Sequence, residues 1–158
     1  MNFFRKRIVF PLLGALMLVA AVQAQQSGIT RHELPAEVTY PEGIAYDAKA
    51  GAVYTGSADK GNLVRMTLEN QKTVTISPAG SVLPGEPFPA VLGMKVDGSG
   101  RLWVSGGRTG QMAVVDSRSG KLLKRFQTPA EPAGLINDVA IAGGNAYFTD
   151  TLRPTLWR

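Results

Sequence analysis

Short runs of alternating apolar and polar residues dominate the chain after residue 40, and turns that contain glycine separate them. In one such run Leu102 and Val104 alternate with Trp103. A period of two is typical of β-strands, whose successive side chains point to opposite faces of a sheet. No long stretch has the 3.6-residue period of a helix. The pattern therefore predicts an all-β fold.

A strand–turn–strand unit occurs three times along the chain. Its equivalent positions are Glu42, Leu92 and Asn137 at the start of the first strand, and Tyr54, Trp103 and Tyr147 in the second strand. The three aromatic residues are separated by 49 and 44 residues. Propeller blades of four strands repeat at roughly 40 to 50 residues. The repeat predicts a β-propeller with about three four-stranded blades over residues 40–80, 90–130 and 134–158, the last of them incomplete.

Three blades are too few to close a propeller ring, which needs about four to eight. The sequence therefore predicts part of a longer propeller, with Ile29–Leu34 as the outer strand of a blade outside this chain. The alternatives are a complete small β protein, or a ring closed by oligomerisation through its open edges. A proline-rich connection, Pro78–Pro89, is expected to lie on the surface. It either covers one mouth of the channel or is an inert connector.

The first 24 residues have the pattern of a secretory signal peptide. Arg5, Lys6 and Arg7 precede an apolar run from Ile8 to Val22, and Val22-Gln23-Ala24 is a small-residue cleavage pattern. The apolar run is shorter than the roughly 20 residues of a membrane span. We expect cleavage after Ala24, no stable membrane anchor afterwards, and a mature domain at 25–158 in the periplasm or outside the cell.

The charge balance of the mature part argues against nucleic acid as a partner. Three basic residues lie in the leader and all 12 acidic residues follow it, which leaves a mature net charge of +2. No basic stretch is interleaved with aromatic residues, as nucleic-acid binding favours. Lys121, Lys124 and Arg125 are interpreted as a solvated strand edge.

Glu42 and Asn137 are the candidate site residues, because they precede the strands that line a propeller's channel. Carboxylate and amide oxygens are ligands for a hard cation such as Ca²⁺. The competing interpretation is that both are turn residues. Asp97 and Asp116 are predicted to cap turns. His32, the only histidine, is expected on an exposed strand, and Gly106–Gly110 in a hairpin turn.

The chain also resembles the SMP-30/gluconolactonase/LRE-like family over most of its mature part. Pro41-Glu42-Gly43-Ile44 is similar to that family's opening Glu-Gly motif, and Gly93–Gly107 resembles the blade that follows. Asn137-Asp138-Val139 with Tyr147-Phe148-Thr149-Asp150 is similar to its Asn-Asp and Tyr-Phe-Thr-Asp blade. Leu135 stands where the family often has an arginine, which weakens the expectation of sugar-lactone recognition.

The resemblance implies a six-bladed propeller with a central divalent metal, Ca²⁺ or Zn²⁺, that hydrolyses lactones or related esters. It implies Glu42 as a metal ligand and Asn137 as a substrate or metal contact. The family's later ligand and its proposed base belong to blades beyond this chain, so the chain alone is expected to be inactive. The alternative is a non-catalytic, NHL-like propeller that binds a protein or small ligand.

Overall fold

The computed structural model describes residues 28–85, 89–131 and 134–158. Within these residues every strand lies in one compact unit, His32–Arg158. The described residues form eleven strands and no helix. The strands are β1 (Pro41–Asp47), β2 (Ala52–Ser57), β3 (Leu63–Thr67), β4 (Thr73–Ser77), β5 (Met94–Val96), β6 (Arg101–Ser105), β7 (Gln111–Asp116), β8 (Leu122–Gln127), β9 (Ile136–Ala142), β10 (Asn145–Asp150) and β11 (Thr155–Trp157).

The strands form three antiparallel sheets, which correspond to the predicted units and are called blades 1 to 3. Their orders are β1-β2-β3-β4, β5-β6-β7-β8 and β9-β10-β11, so each hairpin joins neighbouring strands. Blade 3 has three strands within the described residues. The all-β prediction is confirmed.

The first strands of the blades lie side by side, because β1 contacts β5 and β5 contacts β9. Glycine allows this approach. The Gly93 N–H donates a 2.8 Å hydrogen bond to the Asn137 carbonyl of the next blade. A Cβ on Gly93 would lie only 2.5 Å from the Asp138 Cα, and one on Gly43 would overlap the Leu92 carbonyl. The blades therefore meet backbone to backbone at their first strands.

Two apolar clusters fill the spaces between neighbouring blades. The cluster between blades 1 and 2 includes Tyr54 and Met94, each 1% exposed. It also takes in Val82 and Leu83, which are 1% and 0% exposed. The prediction of a surface-lying connection over Pro78–Pro89 is therefore wrong for its middle part, where two apolar side chains anchor it in the core.

Ile29–Leu34 form no strand in this chain, and their predicted role as the outer strand of a blade outside the chain stays a prediction. His32 is exposed as expected, although it lies outside any strand. The predicted leader, residues 1–24, lies outside the described residues. Within the described part of the chain, no helix is long and apolar enough to cross a membrane.

Several carboxylates have structural roles at the ends of strands. Asp97 accepts hydrogen bonds from the Ser99 and Arg101 N–H groups, and Asp116 accepts one from Ser119, which confirms both as turn caps. Trp103 additionally donates its indole N–H to Asp97 at 2.9 Å. These carboxylates hold hairpins in place and are occupied by their own turns.

Asp150 is the centre of a buried polar network in blade 3. Its carboxylate accepts hydrogen bonds from Leu135 N (2.9 Å), Arg153 Nε (2.6 Å) and Trp157 Nε1 (3.1 Å). The Asp150 side chain is 0% exposed and that of Arg153 is 9% exposed. Burial raises the pKa of Asp150, but these three donors together outweigh burial and lower it. The network joins the end of β10 to β11 and to the segment before β9.

Candidate functional site

A β-bulge interrupts the first strand at the same repeat position in blades 1 and 3. Pro41 pairs with Ser57 and Ile44 with Thr55, so β1 carries one residue more than β2. In blade 3 the extra residue lies in β9, between the pairs of Asp150 with Ile136 and of Phe148 with Val139. A bulge leaves a residue unpaired and re-aims its side chain.

Hydroxyl groups on the second strands hold these bulges. The Thr55 hydroxyl donates a 2.7 Å hydrogen bond to the Gly43 carbonyl. In blade 3 the Thr149 hydroxyl accepts a 3.1 Å hydrogen bond from the Asp138 N–H. Each bulged backbone group therefore has a partner on the neighbouring strand, which fixes the direction of the side chains beside it.

The bulges bring the two predicted site residues to one cavity of about 350 Å³, called here the inner-strand cavity. Its lining comes from the first strands of all three blades: Glu42, Gly43, Ile44, Gly93, Met94, Lys95, Asn137 and Asp138. Leu92, the third residue at this repeat position, does not line it. Glu42, Lys95 and Asp138 are exposed, and Asn137 is half-buried.

Two carboxylates of like charge meet in the inner-strand cavity. Partial burial raises the pKa of Glu42, and the negative charge of Asp138 raises it further. Repulsion between carboxylates that share a site is relieved when one takes up a proton or when a cation binds between them. The cavity therefore favours positive charge beside Glu42.

The residues of the cavity suit a hard cation with oxygen ligands. Glu42 and Asp138 offer carboxylate oxygens and Asn137 offers an amide oxygen. Among the described residues no cluster of three or more His, Cys, Asp or Glu could hold a metal. A cation here would take further oxygens from water, substrate or other protein, because Ca²⁺ has about six to eight ligands.

Asp138 and Lys95 are the cavity residues that the sequence prediction missed. Regular alternation along β9 would place Asp138 on the face opposite Asn137, but the bulge brings both side chains to the cavity. Lys95 contributes a positive charge from the middle blade. The only signal for Asp138 in the sequence was its place beside Asn137.

Comparison with family models matches only the first part of the described chain. Residues 27–66, about a quarter of the chain, match the N-terminal family of strictosidine synthase-like proteins. The match spans the first three strands of blade 1. Comparison with curated proteins gives no match. The SMP-30/gluconolactonase assignment stays a prediction.

Solved structures share the arrangement of sheets. The chain is similar to virginiamycin B lyase from Staphylococcus aureus, with 20% identity and a TM-score of 0.60 over 75% of this chain and 37% of that one. A catalytically inactive variant of that lyase with quinupristin gives 20% identity and a TM-score of 0.63 over 80% and 40%. A luciferin-regenerating enzyme gives 18% identity and a TM-score of 0.56 over 75% and 39%.

The fold is a β-propeller. Its three blades span about two-fifths of the length of each of these structures. The inner-strand cavity is therefore formed by the channel-lining strands of a propeller. Identities of 20% or less show the fold alone, and the chemistry of this propeller has to be argued from its own residues.

Proposed function

We propose that the inner-strand cavity binds a divalent cation through Glu42, Asn137 and Asp138, and that the chain is part of a metal-dependent propeller enzyme. The observation that carries the proposal is the like-charge pair, Glu42 and Asp138, beside an amide oxygen in one cavity. Partial burial, and after it the negative charge of Asp138, raises the pKa of Glu42, and a bound cation would stabilise both carboxylates by neutralising them.

The donor set favours Ca²⁺ over Zn²⁺. All three side chains offer oxygen, which suits Ca²⁺, whereas protein zinc sites use mainly histidine nitrogen and cysteine sulfur. The chain has no cysteine, and its only histidine, His32, is not among the residues that line this cavity. We therefore propose Ca²⁺ as the cation.

The proposed reaction is hydrolysis of a lactone or a related ester. A bound cation supplies Lewis-acid polarisation of a carbonyl group. Asn137 would orient the substrate, because its amide carries two N–H donors as well as the oxygen offered to the cation. The similar folds of a lyase and a luciferin-regenerating enzyme support an enzymatic role. We further propose export to the periplasm or the medium. Mass spectrometry of the N-terminal peptide of the mature protein tests this, because cleavage after Ala24 leaves Gln25 as the first residue.

Calcium titration of the purified chain tests the cation site. With only three protein ligands we expect a dissociation constant of about 10⁻⁴ to 10⁻³ M, in the range of weak extracellular Ca²⁺ modules. Glu42→Gln and Asn137→Ala should each weaken binding about tenfold, measured by calorimetry. Glu69→Gln is the matched control, because Glu69 lies in the β3–β4 turn and is exposed. Equal affinity in all four proteins would refute the site, as would absence of binding at about 10 mM Ca²⁺.

A binding propeller without catalysis is the second candidate, and Lys95 favours it. Lys95 lines the same cavity as the carboxylates, and its positive charge opposes a cation. If Ca²⁺ fails to bind while an anionic or peptide ligand binds in a Lys95-dependent way, the binding role replaces the enzymatic one.

A further inference from the structure

A second cavity, called here the interblade cavity, lies between blades 1 and 2 and has a volume of about 630 Å³. It is lined by turns at the end of the strands away from the inner-strand cavity. Glu42 and Asp47 stand near opposite ends of β1, and the rise of a strand separates them by roughly 15 Å. Asp47 lines the interblade cavity and Glu42 does not. The two cavities are therefore separate.

Three basic side chains line the interblade cavity: Lys49 and Arg65 from blade 1, and Arg118 from blade 2. The Lys49 ammonium donates a 2.6 Å hydrogen bond to the Gly98 carbonyl. Arg65 Nη1 donates a 2.9 Å hydrogen bond to the Arg118 carbonyl. Both acceptors are neutral backbone groups of blade 2. These bonds therefore hold the two cations at the gap between the blades without neutralising them.

The two carboxylates of the cavity, Asp47 and Asp116, are occupied by their own turns. Asp47 accepts hydrogen bonds from two N–H groups of the β1–β2 turn. Asp116 accepts them from the hydroxyl and the N–H of Ser119, which lower its pKa, and the charge of Arg118 lowers it further. Among the described residues, neither of the two blade-1 cations forms an ion pair. The cavity therefore keeps positive charge that no carboxylate of the chain offsets.

Two buried donors at the interblade cavity have no hydrogen-bond partner within the described part of the chain. They are the Tyr54 hydroxyl and Arg65 Nε, and both residues line the cavity. Tyr54 is 1% exposed. A buried polar group without a partner is unfavourable and uncommon in folded proteins. An acceptor bound in the cavity would satisfy both donors.

The equivalent positions of blade 2 contain no such unpaired donors. Trp103, the equivalent of Tyr54, donates its indole N–H to Asp97 at 2.9 Å. Arg65 pairs with Tyr54 across β2 and β3, and Val114 pairs with Trp103 in the same way across β6 and β7. Val114 is apolar and 5% exposed. The packing of a blade therefore does not require a guanidinium or a free hydroxyl at these positions.

We propose that the interblade cavity binds a small molecule through a phosphate group, with Arg65 and Tyr54 as hydrogen-bond donors to its oxygens. Lys49 and Arg118 would add positive charge from the two sides of the gap. Volumes of about 300 to 1,000 Å³ are typical of small-molecule sites, so the cavity has room for an organic group attached to the phosphate. The proposal does not depend on cation binding in the inner-strand cavity.

The charge and shape of phosphate fit this wall better than those of a carboxylate. A phosphate monoester carries about two negative charges at neutral pH and three acceptor oxygens. Two negative charges match the two blade-1 cations whose hydrogen bonds go to carbonyl groups. The tetrahedral arrangement of its oxygens can also meet donors from both blades, and a guanidinium offers its N–H groups to phosphate in pairs.

Titration of the purified chain with inorganic phosphate tests the site. It is done by calorimetry at constant ionic strength and without divalent cations, so that the inner-strand cavity takes no part. We expect a dissociation constant of about 1 mM, which is attainable for a ligand of five non-hydrogen atoms. Acetate should bind at least about tenfold more weakly, because it carries one charge and two oxygens. Acetate binding as tight as that of phosphate would overturn the phosphate assignment.

Two variants test the donors. Arg65→Met should weaken phosphate binding at least about tenfold, and Tyr54→Phe about five- to tenfold, because each removes a hydrogen bond to a charged group. Tyr54→Phe should not lower the stability to urea, because the hydroxyl it removes has no partner in the protein. Phosphate affinity that is unchanged in both variants would overturn the proposal, as would absence of saturable binding at about 20 mM phosphate.

Arg125→Met is the matched control for Arg65→Met. Arg125 also donates a hydrogen bond to a backbone carbonyl, that of Val82 at 2.8 Å, but it does not line the interblade cavity. Its variant loses the same charge and should bind phosphate like the parent. An equal loss of affinity in both variants would show that phosphate responds only to net charge, and would refute a specific site.

Amide NMR signals test the location. Phosphate should shift the signals of Gly98 and Ser117, which line the interblade cavity from blade 2. The signals of Gly93 and Asp138, which line the inner-strand cavity, should stay in place. Shifts confined to Gly93 and Asp138 would place the anion in the other cavity and would contradict the proposal.

Discussion

Replacement of Gly93 by alanine tests whether close contact between first strands holds the blades together. The added Cβ would lie 2.5 Å from the Asp138 Cα and 2.6 Å from the Asn137 carbonyl oxygen. Real contacts of this kind essentially never fall below 3.0 Å. The Asp138 carboxylate is closer still and could rotate away, but these two atoms are backbone, so side-chain rotation cannot relieve their overlap. Blade 3 must therefore shift away from blade 2.

The expected loss of stability follows from two effects. Overpacking costs about 1–3 kcal/mol. The shift also weakens the 2.8 Å hydrogen bond from Gly93 N to Asn137 O, at a further cost of about 1 kcal/mol. Gly93→Ala should therefore lower the free energy of unfolding by about 2–4 kcal/mol, measured by urea denaturation.

Gly98→Ala is the control for this experiment. A Cβ at Gly98 meets no atom within 4 Å, and its φ lies outside the left-handed region. We expect a change below about 0.5 kcal/mol there. If Gly93→Ala were no more destabilising than Gly98→Ala, the first strands would not be in the contact described, and the inner-strand cavity would lose its structural basis.

Three further predictions concern individual charges. Asp150→Asn should destabilise the chain by about 3 kcal/mol in thermal or urea unfolding, because it leaves the Arg153 guanidinium buried without its counterion. Asp97→Asn is the matched control and should cost about 1 kcal/mol or less, because its partner Arg101 is 48% exposed. The folded-state pKa of Asp150 is lowered, so its stabilising contribution is present above the unfolded-state pKa and is lost as the pH falls through the folded-state pKa. The free energy of unfolding should therefore fall less steeply on acidification in Asp150→Asn than in the parent. Lys95→Met should tighten Ca²⁺ binding up to about fivefold in calorimetry, because it removes a positive charge from the cavity, and unchanged affinity would place the cation elsewhere.

The repeat made the blade architecture predictable. Tyr54, Trp103 and Tyr147 occupy the same position in successive units, and period-two patterning fixes which residues share a face. The turns were also predictable, because Asp97 and Asp116 carry side chains that bond to their own backbone. These features are local, so they can be recognised from the sequence without knowledge of the pairing between blades.

The parts of the fold that depend on distant contacts were not predictable. Ile29–Leu34 form no strand here, because a strand forms only where another strand pairs with it. Val82 and Leu83 lie in a segment rich in proline and glycine, and their burial depends on the space left between blades 1 and 2. Local composition contains no information about that space.

The candidate site was predictable only as far as the repeat extends. Glu42 and Asn137 share a repeat position, and the structure places both at one cavity. The bulge in β9 is a matter of pairing with β10, so the contribution of Asp138 could not be derived from alternation. Lys95 follows the Leu92 position by three residues, and it reaches the cavity because blade 2 lies between the other two.

Titration of Glu42 by carboxyl-selective NMR, with and without Ca²⁺, tests the cation site most directly. Without Ca²⁺ the pKa of Glu42 should lie above the value of an exposed glutamate, and Asp138→Asn should bring it down towards that value. Saturating Ca²⁺ should also lower it, because the bound cation stabilises the carboxylate. An unshifted Glu42 pKa that responds neither to Asp138→Asn nor to Ca²⁺ would contradict the account.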